Sequence, residues 1–117
     1  MTIPISIRPV RTNEEVGQVI KLVKNHEAWI RERYPENDEL ITQYYKEECV
    51  YEILSNALSY FVPPEKVLLI ATAGAEAAGT ISFKQLDEKL CEMNRLFVSS
   101  HFRGKGVGRS LCNELRN

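Results

Sequence analysis

The stretch VLLIATA at residues 67–73 carries no charge and no turn former. A continuous apolar run of this kind predicts a central strand buried on both faces. A fold that contains it must cover a sheet from two sides. With 117 residues, there is enough chain for one core and hardly two. Helices on the sheet's faces are the expected cover.

The flanking segments supply both strands and helices. Ile3, Ile5 and Ile7 alternate and predict a first strand ending at Arg8-Pro9. Thr12 is followed three residues on by Glu15, a capping box that starts a helix near Asn13. Val16, Val19, Ile20 and Val23 form its apolar stripe, which continues less clearly to Trp29 and Ile30. Pro35 in YPEND (34–38) breaks it. A second helix is expected over about 38–60, where Leu40, Ile41, Tyr44, Tyr45, Val50, Ile53, Leu54 and Leu58 recur at three- and four-residue steps, and Pro63-Pro64 ends it. After the central strand, GAEAAG (74–79) reads as a turn, TISFKQL (80–86) as an alternating strand, DEK (87–89) as a turn and LCEMNRLFV (90–98) as a fourth strand. SSHFRGKG is a loop, and a third helix begins near Val107. The expected fold is α/β with α+β character: a single domain with a largely antiparallel mixed sheet flanked by helices. No internal repeat, low-complexity tract or second domain is found.

Composition narrows the function classes. The hydrophobic fraction of 44% and charged fraction of 26% are those of an ordinary globular domain. A net charge of -1 gives no general attraction to nucleic acid or acidic membranes, so an anion site must be local. There is no basic stripe or aromatic platform for nucleic acid. No segment approaches the ~20 apolar residues that span a bilayer. Cys49, Cys91 and Cys112 are odd in number and lack metal-ligand spacing, so reduced thiols, a cytoplasmic location and no metal are expected. MTIPISIRPV has neither the basic region nor the apolar stretch of a secretory leader.

The local anion site is HFRGKGVGRS (101–110). Gly104, Gly106 and Gly108 alternate with Arg103, Lys105 and Arg109 between the fourth strand and the third helix. Glycine lets backbone approach a ligand or take positive φ. A helix N-terminus offers unpaired N–H groups and positive partial charge. Together they form a cradle for a phosphorylated cofactor. Two familiar patterns fail. A Rossmann loop counted from Gly106 finds Leu111 at its third glycine, and a Walker A loop ending at Gly108 would need glycine where Arg103 stands.

A third pattern fits. Arg103-Gly104-Lys105-Gly106-Val107-Gly108 matches Gln/Arg-x-x-Gly-x-Gly/Ala, the signature of the GNAT superfamily of acyl-CoA-dependent N-acyltransferases, and NRLFVSSHFRGKGVGRSL resembles that family's fourth strand, loop and third helix. ISIRPVRTNEE resembles its first strand and helix start. The order of elements is similar along nearly the whole chain, and the specific motif covers residues 90–115.

The resemblance implies an N-acetyltransferase that moves an acetyl group from acetyl-CoA to a primary amine of a small molecule or peptide by direct attack. It implies that the N–H groups of residues 103–109 take the CoA pyrophosphate. The cofactor site would then comprise Arg103, Gly104, Lys105, Gly106, Val107, Gly108 and Arg109. The pantetheine arm would pair like an added strand near Leu96, Phe97 and Val98, with a backbone N–H at Phe97 or Val98 facing the oxyanion. Glu92, on the fourth strand, is the candidate base. A carboxylate with an ordinary pKa near ~4.3 needs a raised value for that task, and the alternative is a solvated strand-end charge. The family's thiolate-protonating tyrosine lies on a later helix, whereas Tyr34, Tyr44, Tyr45, Tyr51 and Tyr60 all precede the motif.

Other residues carry blander readings. His101 reads as a solvated loop side chain, and Cys91 and Cys112 as small core fillers. Tyr44, Tyr45 and Trp29 either line an acceptor pocket or belong to the core. Family domains continue past the third helix into a fifth strand and fourth helix, so residues 1–117 are expected to be the N-terminal portion of such a domain. Were the chain whole, the fourth strand would be an open edge that needs a partner, for example in a homodimer. A non-catalytic CoA-binding or interaction module is the alternative function. A site for another nucleotide is weaker, since the glycine spacings do not match.

Overall fold

The computed structural model describes residues 4–62, 65–85, 91–99, 102 and 106–114, with the side chains of residues 85 and 91–96 excepted. The described strands are β1 (Ile5–Pro9), β2 (Lys66–Ala73), β3 (Glu76–Gln85) and β4 (Cys91–Val98). The described helices are α1 (Asn13–Arg33), α2 (Asp38–Glu47), α3 (Val50–Ser55), α4 (Ala57–Tyr60) and α5 (Val107–Glu114), with a 3-10 turn at Pro35–Asn37. The sheet order is β1-β2-β3-β4. Every described pairing is antiparallel, so the parallel component of the expected mixed sheet is not among the described strands.

VLLIATA occupies the position its composition demands. β2 lies between β1 and β3, and its side chains alternate between two cores. Leu68 and Ile70 join Val16, Val19, Val23, Val50 and Leu54 on the face covered by α1, α3 and α4. Leu69, Ala71 and Ala73 join Ile81, Phe102, Val107 and Leu111 on the face covered by α5. A strand buried on both sides keeps an apolar residue at nearly every position, which is why no polar alternation interrupts the run.

α1 starts where the capping box places it. The Glu15 backbone N–H donates to the Thr12 hydroxyl at 3.1 Å, and the Glu15 carboxylate accepts from the Thr12 N–H at 3.2 Å. The same carboxylate accepts from the Arg11 N–H at 2.9 Å and from Arg8 Nε at 2.6 Å. One side chain therefore ties the end of β1 to the first turn of α1. The Arg11 N–H above all, with Arg8, holds the Glu15 carboxyl below the usual range despite its burial.

Two segments depart from the sequence expectation. The helix expected over 38–60 is three short ones. Cys49 takes a left-handed conformation at φ 50 and ends α2, and Asn56 separates α3 from α4. The break has a packing reason: Val50, Leu54 and Ala57 are buried, whereas α2 buries no residue and leaves Leu40 and Tyr44 exposed. The turn expected over 74–79 is only Gly74-Ala75, with Gly74 at φ 62. β3 starts at Glu76, and its register against β2 shifts between Ala71 and Thr72, so Ala78 is the extra residue of a bulge. Pro63-Pro64 and the DEK turn lie outside the described residues.

Candidate functional site

The loop that follows β4 is held at both ends. On the strand side, the Ser99 N–H donates to the Ala78 carbonyl at 2.8 Å and the Phe102 N–H to the Ser99 carbonyl at 2.9 Å. Phe102 is buried in the core beneath α5. On the helix side, Val107 and Leu111 are buried in that same core. Gly106 immediately precedes α5 at φ 82, and its carbonyl accepts the Ser110 N–H at 3.0 Å. A side chain at position 106 would meet no atom within 4 Å. Glycine is required there for its backbone conformation and not for space. Gly108 is half-buried in the first turn of α5, and Arg109 beside it is exposed. The described residues thus place the end of β4, a buried Phe102 and Gly106 at the start of α5. Arg103, Gly104 and Lys105, which the resemblance assigns to the phosphates, and His101 lie outside the described residues.

A cleft of about 560 Å³ opens beside Ser99, between α1 and the β2–β3 turn, lined in part by Gln18, Lys21, Asn25 and Glu76.

β4 ends the described sheet, so the edge facing away from β3 carries no described strand. Its register against β3 shifts between Ser82 and Phe83: Ser82 faces Arg95 and Phe83 faces Met93, leaving Asn94 as the extra residue. A bulge re-aims backbone groups and spreads the strand locally. Glu92 pairs with Lys84 in the backbone register, while its side chain lies outside the described residues. Phe97 pairs with Thr80 and reaches the core on the α1 face, whereas Val98 reaches the α5 face. The backbone of Leu96 pairs with Ile81.

Phe97 also closes one side of a groove of about 390 Å³, whose other walls include His26 and Ile30 of α1 and Leu40, Ile41, Tyr44 and Tyr45 of α2, with Asn37 between the helices. The rings form an ordered wall. His26 stands edge-on to Phe97 with centroids 4.7 Å apart, Tyr44 is edge-on to Tyr45 at 5.5 Å, and Tyr45 stacks on Tyr51 at 5.8 Å. Tyr44 and Tyr45 thus face the groove, while Trp29 lies outside its lining, under the Arg33 guanidinium at 5.0 Å. The Tyr51 hydroxyl donates to Glu27. Burial and then that carboxylate push its pKa up, which makes Tyr51 a poor acid for a leaving thiolate.

Three contributors do not stand out in the sequence. His26 continues the α1 stripe, three residues after Val23 and four before Ile30, and that spacing is the available signal. Phe102 is an aromatic inside a polar loop. Gly79 reads as a turn residue, yet it lies in β3 beneath α5.

Comparison with known proteins adds the following. The family model described as Acetyltransferase (GNAT) family matches residues 23–117. No curated protein matches the chain. An acetyltransferase structure from Streptococcus agalactiae is similar at TM-score 0.66 and 19% identity, over 96% of this chain and 63% of that one. The chain thus spans less than two thirds of that relative's length. A PaiA N-acetyltransferase from Thermoplasma acidophilum, in complex with coenzyme A, is similar at TM-score 0.69 and 21% identity, over 97% of this chain and 70% of that one. An aminoglycoside 6'-N-acetyltransferase complexed with coenzyme A is similar at TM-score 0.56 and 18% identity, over 94% of this chain and 52% of that one. At such identities the likeness is one of fold. Among the described residues, no helix is long and apolar enough to cross a membrane.

Proposed function

The chain belongs to the acetyltransferase (GNAT) family, and from that premise we propose that the protein transfers an acetyl group from acetyl-CoA to a primary amine of a small molecule or peptide. The observation that carries the reading is the junction of β4 with α5. A buried Phe102 and a buried Val107 fix the two ends of a glycine loop, and Gly106 at φ 82 turns the chain into a helix N-terminus. On this reading N–H groups of residues 103–109 take the pyrophosphate, favoured by the helix dipole and by Arg103, Lys105 and Arg109. Solved relatives bound to coenzyme A support this assignment of the cosubstrate.

The pantetheine arm pairs along the outer edge of β4 near Leu96, Phe97 and Val98, where backbone groups have no described strand to meet. This brings the thioester toward Phe97 and hence toward the aromatic groove. The neutral amine attacks the thioester carbonyl. A backbone N–H at Phe97 or Val98 stabilises the oxyanion. The carbon–sulfur bond breaks, the amine proton passes to a base, and the thiolate leaves to be protonated as CoA. Glu92 is the candidate base on this strand.

Titration calorimetry with acetyl-CoA, run beside dephospho-CoA and ATP, tests the reading. Selective binding of acetyl-CoA is expected, weakened in Gly108→Glu. Unchanged affinity in that variant would show that the loop is not the phosphate site. Acetyl-CoA binding without release of CoA thiol on any amine would favour a non-catalytic CoA-binding module.

A further inference from the structure

Resting on the acetyltransferase reading, we propose that the groove between α1 and α2 receives the apolar body of an aromatic monoamine, with the amino group presented to β4 beside Phe97. Among the described residues the groove is lined by no Asp, Glu, Lys or Arg. Its polar side chains are His26, Asn37 and the two tyrosines, and the remainder is aliphatic or aromatic. A polyamine or a hydroxyl-rich aminoglycoside would lose water around several polar groups and find few partners, which is costly. A single aromatic ring loses little water and gains ring contacts with Tyr44, Tyr45, His26 and Phe97. The carboxylates of Glu27 and Asp38, on the same two helices, are already held by Arg31 at 2.9 and 2.6 Å.

Size and exposure point to the same occupant. A volume of about 390 Å³ falls in the range of small-molecule sites, roughly 300–1,000 Å³. Leu40 and Tyr44, on the outer wall, are 65% and 47% exposed. A ligand between the helices would remove that apolar surface from water. The wall rings are packed against one another, so few side chains must be ordered on binding.

Phenethylamine and spermidine serve as probes with the intact protein, and acetyl-CoA affinity is measured separately by calorimetry. Phenethylamine is expected to be acetylated with kcat/KM at least about tenfold above spermidine. Tyr44→Ala is expected to lower the phenethylamine value roughly tenfold, the loss of one or two ring contacts, with acetyl-CoA affinity unchanged. Tyr34 is also exposed, at 44%, and lies outside the groove lining, so Tyr34→Ala should alter neither value. If acetyl-CoA binds and spermidine is acetylated while phenethylamine is not, or if Tyr44→Ala leaves phenethylamine turnover unchanged, the inference is overturned and the acetyltransferase reading stands. If acetyl-CoA does not bind at all, both fall.

Discussion

A β-carbon added to Gly79 would lie 2.9 Å from the Phe97 carbonyl oxygen, closer than such contacts occur, and 3.1 and 3.2 Å from the side chains of Val107 and Leu111. β3, β4 and the first turns of α5 therefore meet at a point with no room for a methyl group. Because the nearest atom is backbone, relief requires the strand or the helix to shift. Gly79→Ala is expected to destabilise the fold by about 1–3 kcal/mol, as overpacked cores do. Gly17 is exposed on α1, and a methyl group there would meet no atom within 4 Å, which gives the opposite sign. Gly17→Ala should stabilise by roughly 0.5–1 kcal/mol. Urea unfolding of the two variants checks the pair, and equal effects would remove the steric account.

Gly106 differs from Gly79, because its surroundings are open and its backbone is not. Gly106→Ala should cost about 1–2 kcal/mol, the penalty of a left-handed conformation for a residue with a β-carbon. If the loop is the phosphate cradle, acetyl-CoA affinity falls as well. Calorimetry and urea unfolding on the same variant separate the two effects.

What is legible in the chain is what neighbouring residues decide. Thr12 and Glu15 are three residues apart and cap each other, so α1 begins where the sequence places it. VLLIATA announces its two buried faces by composition alone. The break at Cys49 is not legible, because a cysteine carries none of the signals that mark left-handed backbone; only the burial of Val50 and Leu54 beyond it accounts for the turn. Gly79 passes for a turn residue because its role depends on Phe97, Val107 and Leu111, which are remote in sequence. The groove is half legible: Tyr44 and Tyr45 are candidates from sequence, whereas His26 gains its place only once α1 is laid across β4.

Cys49 offers a test of that reading. Asparagine tolerates left-handed backbone and a β-branched residue does not. Cys49→Asn should leave stability unchanged or slightly raised, and Cys49→Val should lower it by about 1–2 kcal/mol. Thermal unfolding distinguishes them. Cys49 is exposed, so burial does not confound the comparison.

Glu15 sets a dependence on acid. Its carboxyl is held below its ordinary value in the folded chain, chiefly by the Arg11 N–H, with Arg8 adding to it. A carboxyl lowered on folding contributes stability above its unfolded pKa, near ~4.3 for glutamate, and that contribution fades as pH falls through the folded value. Glu15→Gln keeps an acceptor for the cap and removes the charge. The variant should be less stable than the parent by about 1 kcal/mol at neutral pH, the size of a capping interaction, and the gap should close below about pH 4. Urea unfolding at neutral and at acid pH measures it. A gap that does not change with pH would mean the charge contributes nothing.

α2 is fastened in an unusual way, and its stability should be local. The helix buries no residue. Arg31 of α1 supplies much of its attachment, donating to the Asp38 carboxylate at 2.6 Å, the Asp38 carbonyl at 3.3 Å and the Thr42 hydroxyl at 3.0 Å, while its Nε holds Glu27 at 2.9 Å. These bonds are exposed or partly so, and each contributes little by itself. They depend on the planar guanidinium, which spans several acceptors at once and which lysine cannot imitate. The core residues Val19, Val23 and Ile70 make no use of them. Arg31→Lys should therefore let α2 open more often. Amide hydrogen exchange is the measurement: residues 38–47 should exchange faster than β2 already in the parent, by local opening, and faster again, roughly several-fold, in Arg31→Lys. Equal protection of α2 and β2 in the parent would mean that α2 is part of the global folding unit, and unchanged exchange in Arg31→Lys would mean that Arg31 is not its fastening.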